Sequence, residues 1–174
     1  MSHQVHPTPP ITATSDGCAG QNTSAAALEA LIHRLNGGLN NASIAFELLH
    51  VEGMAAATDQ ILKTGMAGVA QASRAVQLID AVLRPTGASR TRKDPFYLSD
   101  VSEILRQHAT RSGRQLRVGP NMPEESAAST TANVAAASLT RGMALIADAG
   151  EEPLDLINTV EDNEAALDIV VEHD

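Results

Sequence analysis

The chain has 174 residues, of which 43% are hydrophobic, with no Trp, one Tyr and two Phe. This length suits one ordinary domain or two small ones, and the core must be mainly aliphatic. The formal net charge is −9, and the ten acidic residues from Asp148 onward have no Lys or Arg among them. This balance argues against nucleic-acid binding. No apolar run approaches the roughly 18 residues that span a bilayer, so we expect no membrane association.

The N-terminal segment predicts a flexible start to a cytoplasmic protein. Residues 1–23 are rich in Pro, Thr, Ser and Gly without an apolar period, which predicts a disordered tail. The segment lacks a basic stretch followed by an apolar one, so we expect no secretory signal. Cys18 is the only cysteine, which excludes an intrachain disulfide and fits a reducing cytosol.

A long amphipathic helix is predicted over residues 24–50, with Ser24 as its N-cap. Its apolar residues recur with alternating spacings of 4 and 3, an uninterrupted heptad seam that consists of Leu28, Ile32, Leu35, Leu39, Ala42, Phe46 and Leu49. Gly37 and Gly38 lie in mid-helix, where each costs about 1 kcal/mol relative to Ala. The heptad stays in phase across this pair, which favours a continuous helix over a break that restarts at Asn40.

A second helix is predicted over residues 54–84, ended by Pro85. Its first apolar seam contains Ile61, Gly65, Gly68, Ala72, Ala75, Ile79 and Val82, and the adjacent seam contains Leu62, Met66, Val69, Ser73, Val76 and Leu83. A single hairpin of the two helices would leave much of this broad face in water. We therefore expect residues 24–84 to form an antiparallel hairpin that pairs with a second copy as a dimeric four-helix bundle.

The rest of the chain predicts a small α+β unit. Residues 85–94 are polar and basic, as in a linker, and the following domain spans residues 95–174. We expect a strand at 96–98, a helix at 100–112 that Ser99 caps and Gly113 ends, a strand at 115–118 and a loop at 119–128. An Ala-rich helix at 129–149 and a hairpin of strands at 154–160 and 166–172 complete the prediction.

His33 is the residue that we single out on the first helix. It lies beside the apolar seam, and its neighbours at helical spacing, Glu29, Asn36, Gly37 and Asn40, are polar or very small. The imidazole should therefore be reachable from outside, and a neutral imidazole is a nucleophile. A lone histidine on a helix is more often an ordinary surface residue, so the hypothesis depends on its surroundings.

The surroundings of His33 carry a family resemblance. His-Arg-Leu-Asn-Gly-Gly-Leu-Asn at 33–40 resembles the phospho-acceptor box of bacterial histidine kinases of the His-Arg type, with matches at His33, Arg34, Leu35, Asn36 and Leu39. The resemblance implies that His33 accepts a phosphoryl group. It also implies that a protein partner docks on Glu29, Arg34, Asn36, Gly37 and Asn40.

Some of these residues have further implied roles. Arg34 would help to stabilise the developing charge, and Glu29 would orient the ring, although both also fit plain solvated helix positions. In the family, the position of Gly37 often holds an Asn or Thr that positions water for dephosphorylation. Glycine cannot do this, so Gly37 weakens the case for phosphatase activity.

The second half of the chain extends the resemblance over about residues 28–172. Residues 94–105 resemble the passage into a kinase ATP-binding domain, and residues 132–149 resemble its asparagine-box helix, with Ser138 and Gly142 where the two asparagines would be. The resemblance stops before the glycine-rich boxes and ATP lid of that domain, so we expect no ATP binding. This pattern resembles histidine phosphotransferases built from defunct kinases, with a degenerate ATPase-like α/β sandwich.

The resemblance implies relay of phosphate between response-regulator receiver domains rather than ATP-dependent kinase activity. It implies no cofactor on this chain, with Mg²⁺ supplied by the receiver. One alternative is a binding protein that docks a receiver or kinase as an inhibitor or scaffold. Another is a plain coiled-coil dimerisation module, which predicts His33 packed in the seam or a helix broken at Gly37.

Overall fold

The fold is α+β, as the sequence predicts. The computed structural model describes residues 16–50, 58–85, 93–118, 129–150, 152–161 and 164–171. In chain order the elements are α1 (Asp16–Leu49), α2 (Thr58–Leu83), β1 (Lys93–Asp94), α3 (Phe96–Arg111), β2 (Leu116–Val118), β3 (Thr130–Thr131), α4 (Ala132–Asp148), β4 (Leu154–Glu161) and β5 (Glu164–Val171). Within these ranges, no helix combines the length and apolar character that a bilayer span requires.

The first two helices pack together as an antiparallel hairpin. Gly38 of α1 lies against Gly68 of α2, whereas Ala45, later in α1, lies against Gly65, earlier in α2. The helix α1 is continuous through the glycine pair, as predicted. It begins at Asp16, so Ser24 lies inside the helix and its prediction as the N-cap is wrong. Residues 1–15 of the predicted tail, and the turn at 51–57, lie outside the described residues.

The stripe of α1 that faces α2 is one residue earlier than the predicted seam. The buried residues are Ala27, Leu31, Gly38, Ala42 and Ala45, and only Ala42 belongs to both sets. The large seam residues Ile32, Leu39 and Phe46 are instead 50%, 53% and 56% exposed. On α2 the first predicted seam is buried as far as Ala75, after which Leu78 and Ala81 replace the predicted Ile79 and Val82.

Close approach of the two backbones explains this shift. A Cβ atom at Gly38 would lie 2.6 Å from the carbonyl oxygen of Gly68, and one at Gly68 would lie 2.6 Å from that of Gly38. The two helices therefore cross where neither has a side chain, and the packing gained here offsets the helix-propensity cost of the glycines. At this crossing the small residues are buried, and the large neighbours Leu39 and Val69 are left on the surface of the hairpin.

The second half of the chain packs directly on the hairpin. Strand β2 pairs parallel with β4, and β4 pairs antiparallel with β5, which confirms the predicted terminal hairpin. Leu139 and Met143 of α4 share one core with Leu31 of α1, Leu78 of α2 and Leu154 of β4. This shared core fixes α3 and α4 against the part of the hairpin that contains His33.

The predicted strand at 96–98 is wrong, because these residues form the first turn of α3. The Asp94 carboxylate accepts the N–H of Phe96 at 2.9 Å, which satisfies one of the free donors at the helix start. Ser99 is therefore not an N-cap. The predicted stop at Gly113 is confirmed, with φ at +69° and a 2.8 Å bond from the Arg114 N–H to the Ala109 carbonyl.

The linker and loop predictions are only partly covered by the structure. Residues 86–92 and 119–128 lie outside the described residues. At the end of the predicted linker, Lys93 and Asp94 form β1, which pairs antiparallel with Thr130 and Thr131 of β3. The strand predicted at 115–118 is confirmed as β2, and the Ala-rich helix is confirmed as α4.

Candidate functional site

The imidazole of His33 is exposed on an unbroken helix and borders a recess of about 380 Å³. The recess exists because α3 runs beside this part of α1. The α1 side is lined by Glu29, His33, Arg34 and Gly37, and the α3 side by Ile104, His108 and Arg111. Neither prediction of the plain coiled-coil alternative is met, since His33 is outside the seam and the helix is continuous at Gly37.

The structure divides the predicted docking residues into two groups. Glu29, Arg34 and Gly37 line the recess with His33, whereas Asn36 and Asn40 are exposed on α1 outside it. Gly37 is exposed and has no side chain, and a Cβ there would make only an ordinary van der Waals contact, at 3.9 Å, with the Gln71 side-chain nitrogen. A partner can therefore approach the imidazole from the glycine side.

Arg34 belongs to a buried charge cluster that sequence reasoning missed. Asp100 of α3 is only 2% exposed, and its two carboxylate oxygens accept bonds from two arginines of the hairpin. Arg34 Nη2 donates to Oδ1, and Arg74 Nε donates to Oδ2 at 2.7 Å. Because all three groups are largely removed from water, this cluster fixes α3 against both helices.

Two aromatic side chains at the start of α3 strengthen the same attachment. The guanidinium of Arg74 lies 5.0 Å from the ring centroid of Phe96, within the range of a cation–π interaction. Tyr97 is buried, and its hydroxyl donates to the Gln77 side chain of α2. The position of α3 beside His33 is thus held by both charged and aromatic contacts.

Fixing Arg34 changes what it can offer to a ligand at His33. Its positive charge shares one carboxylate with Arg74, and its Nε is buried with no hydrogen-bond partner among the described residues. The backbone carbonyl of Arg34 accepts a 3.3 Å bond from Gln71 Nε2. Arg34 is therefore a rigid part of the recess wall rather than a mobile cation.

His108 is a second histidine of the recess that sequence reasoning did not single out. Burial lowers its pKa, the nearby charge of Arg111 lowers it further, and Glu29 acts in the opposite direction. The neutral form of the ring is therefore favoured, with one N–H donor and one nitrogen acceptor. Sequence reasoning had no signal for this residue, because His108 approaches α1 only through tertiary packing.

Ser138 and Gly142, the two positions of α4 that we compared with the asparagine box, take part in packing. Ser138 is 1% exposed, and its hydroxyl accepts the N–H of Leu167 in β5 at 3.1 Å. A Cβ at Gly142 would lie 2.8 Å from a methyl carbon of Leu105 in α3. Both positions thus hold α4 against its neighbours. In the part of the chain that the structure describes, no three His, Cys, Asp or Glu side chains gather as a metal-binding group.

Comparison with family models, curated proteins and solved structures found no match to this chain. The function must therefore be inferred from the site itself. Its chemical content is an accessible imidazole next to a recess with polar walls, on a helical hairpin with a large exposed apolar face.

Proposed function

We propose that this protein is a histidine phosphotransferase, with His33 as the residue that accepts and donates the phosphoryl group. It relays this group between the receiver domains of response regulators. The observation that carries the proposal is the exposed His33 on an unbroken helix, beside a recess that is open to solvent. A nucleophile that takes its phosphoryl group from another protein must be reachable, and it needs no nucleotide site of its own.

The reaction follows from the chemistry of a neutral imidazole. A ring nitrogen of His33 attacks the phosphorus of an aspartyl phosphate on the receiver. The P–N bond forms as the P–O bond breaks, and the electron pair of that bond stays on the departing carboxylate. Transfer to a second receiver is the reverse. Such transfers depend mainly on positioning and on stabilising charge, and the Mg²⁺ of the receiver contributes to both.

The test is transfer of label from a phosphorylated receiver. We expect the wild-type protein to gain an acid-labile label, and His33→Ala to gain none while its fold and dimer are unchanged. His50→Ala is the matched control, since His50 is also an exposed histidine of this hairpin but bonds the Phe46 carbonyl. Absence of label on the wild type with every cognate receiver would reject the enzyme and favour the inhibitor or scaffold. Label on the His33→Ala variant would reject His33 as the phosphoryl acceptor.

We further propose that two copies pair through the exposed apolar face of the hairpin. Eight large side chains of this face are between 42% and 71% exposed: Ile32, Leu39, Phe46, Leu62, Met66, Val69, Val76 and Leu83. They recur at heptad-like spacing on both helices, and Phe46, Leu62 and Met66 line one groove of about 440 Å³. Soluble monomers rarely leave such a continuous apolar face in water.

The size of this face supports a second copy as its occupant. A standard interface takes roughly 800 Å² from each partner, and eight large apolar residues that each expose about half of their surface supply much of the apolar area that such an interface needs. A second hairpin presents the same aliphatic stripe, so a two-fold pairing closes a four-helix bundle. The recess at His33 involves α3, and pairing through this stripe leaves it accessible.

Sedimentation measures the proposed dimer directly. We expect the wild-type chain to sediment with twice the mass of one chain, and Leu39→Glu to sediment as a monomer because it places a charge within the stripe. Ile44→Glu is the matched control, since Ile44 is a similarly exposed residue of α1 that lies outside the stripe. A monomeric wild type, or equal dissociation of both variants, would reject this interface.

A further inference from the structure

The recess at His33 is lined by a cationic side chain that comes from α3 rather than from α1. Arg111, in the last turn of α3, is exposed and lines the recess together with His33 and His108. Among the described residues, no carboxylate lies within ion-pair distance of it. Arg111 therefore differs from Arg34, whose guanidinium is bonded to the buried Asp100.

A phosphorylated His33 would place three oxygens, which share up to two negative charges, at the mouth of this recess. These oxygens need donors, and charge-assisted bonds from arginine are the strongest that a protein offers them. The α1 side of the recess offers little, because the Arg34 guanidinium already donates to Asp100 and the Glu29 carboxylate is repulsive. On the α3 side, Gln107 and Ser112 carry neutral donors, and the groups that are or can become cationic are the guanidinium of Arg111 and the imidazole of His108.

We propose that the recess between α1 and α3 is a phosphoryl-binding site, in which Arg111 and His108 hold the group carried by His33. This proposal rests on the proposed function of His33 and deepens it. The ATPase-like half of the chain then has a role in transfer without any nucleotide, since its first helix completes the site. The carboxylate of Asp100 has a positioning role, because it fixes α3, and with it Arg111 and His108, next to His33.

The volume and walls of the recess fit this use. Its volume of about 380 Å³ exceeds that of one phosphoryl group and leaves room for the carboxylate of a docked receiver. The wall contains the buried Ile104, and the charged or titratable groups that line it besides His33 are Glu29, Arg34, His108 and Arg111. A negative group that enters should draw a proton onto His108, since an anion nearby favours the charged imidazole.

The first experiment uses phosphoramidate, a donor that needs no receiver. A ring nitrogen of His33 displaces ammonia from phosphorus, so that one P–N bond forms as another breaks. NMR titration then measures the pKa of His108 before and after phosphorylation. We expect the pKa of His108 to rise on phosphorylation of the wild type. The pKa should rise equally in Arg106→Gln, which is the matched control because Arg106 lies on the same helix but bonds Glu103. An unchanged pKa of His108 would overturn the proposal.

The second experiment measures the equilibrium constant for transfer of the phosphoryl group from a receiver to His33. A lost charge-assisted hydrogen bond should lower this equilibrium constant about tenfold in Arg111→Gln. We expect Arg111→Lys to restore part of the loss, His108→Gln to lower the constant and Arg106→Gln to leave it unchanged. Equal constants for the wild type and Arg111→Gln would overturn the proposed phosphoryl-binding site. Absence of transfer to the wild type from any receiver would overturn the proposed function instead.

Discussion

Two adjacent glycines of α1 have different surroundings, so alanine should have opposite effects at the two positions. A Cβ at Gly37 would lie 3.9 Å from its nearest neighbour, the Gln71 side-chain nitrogen. A Cβ at Gly38 would lie 2.6 Å from the Gly68 oxygen and 2.9 Å from the Ala72 nitrogen, both backbone atoms of α2. Backbone atoms cannot rotate away, so Gly38→Ala must push the two helices apart.

The magnitudes follow from two terms. Replacing glycine by alanine in a helix interior gains about 0.5–1 kcal/mol at either position, because alanine restricts the unfolded chain and favours helix. Gly37→Ala should keep this gain. Overpacking costs typically about 1–3 kcal/mol, and two rigid backbones should place Gly38→Ala near the upper end. Gly38→Ala should therefore lose about 1–2 kcal/mol relative to the wild type.

Urea unfolding followed by far-UV circular dichroism measures both variants against the wild type. All three must be compared at one protein concentration, since a dimer makes the apparent stability concentration-dependent. For a chain of this size, each kcal/mol shifts the melting temperature by about 2–4 °C, so the order should also appear in thermal scans. Equal stability of the two variants would refute the close helix crossing at Gly38.

Two further predictions concern the charged groups of the second half. Asp100→Asn should lower the free energy of unfolding by about 3 kcal/mol, because two largely buried arginines lose their counter-charge. Asp155→Asn is the control, and it should cost less than about 1 kcal/mol because the pair of Asp155 with Arg117 is more exposed. Similar losses for the two variants would contradict the buried cluster. Burial raises the pKa of Glu164, but the hydroxyl and N–H of Thr131 and the charge of Lys93 outweigh burial and hold that pKa below its ordinary 4.5. The stabilisation from Glu164 is therefore fully present above pH 4.5 and is lost as the pH falls through the folded-state pKa. Urea titrations over this acid range should show a shallower loss for Glu164→Gln than for the wild type, and parallel curves would refute the assignment.

The start of α3 shows where local sequence reasoning fails. The triplet Phe96-Tyr97-Leu98 has the residue types of a strand, yet it forms a helical turn. The Asp94 carboxylate caps this turn, and Tyr97 and Leu98 are buried against the rest of the protein. Tertiary burial of these side chains outweighs the strand propensity of the triplet.

The candidate site was predictable only in the part that lies on one helix. His33, its polar neighbours and the exposed position of Gly37 follow from spacing along α1. The other wall consists of residues more than sixty positions later in the chain. The bond between Arg34 and Asp100, which are 66 residues apart, holds α3 and its His108 at this place. Nothing in the local sequence of either segment indicates the other.

The sequence by itself determined the long hairpin helices, the terminal β-hairpin and the position of His33 beside an apolar seam, since helical and strand periods are local properties. Only the tertiary structure decided which apolar stripe is buried within the hairpin. Each helix has two neighbouring stripes with the same period. The buried stripe is the one that contains Gly38 on α1 and Gly68 on α2, because these glycines allow the backbones of the two helices to touch. That contact leaves the large neighbours Leu39 and Val69 exposed, and His33 borders the recess that α3 completes.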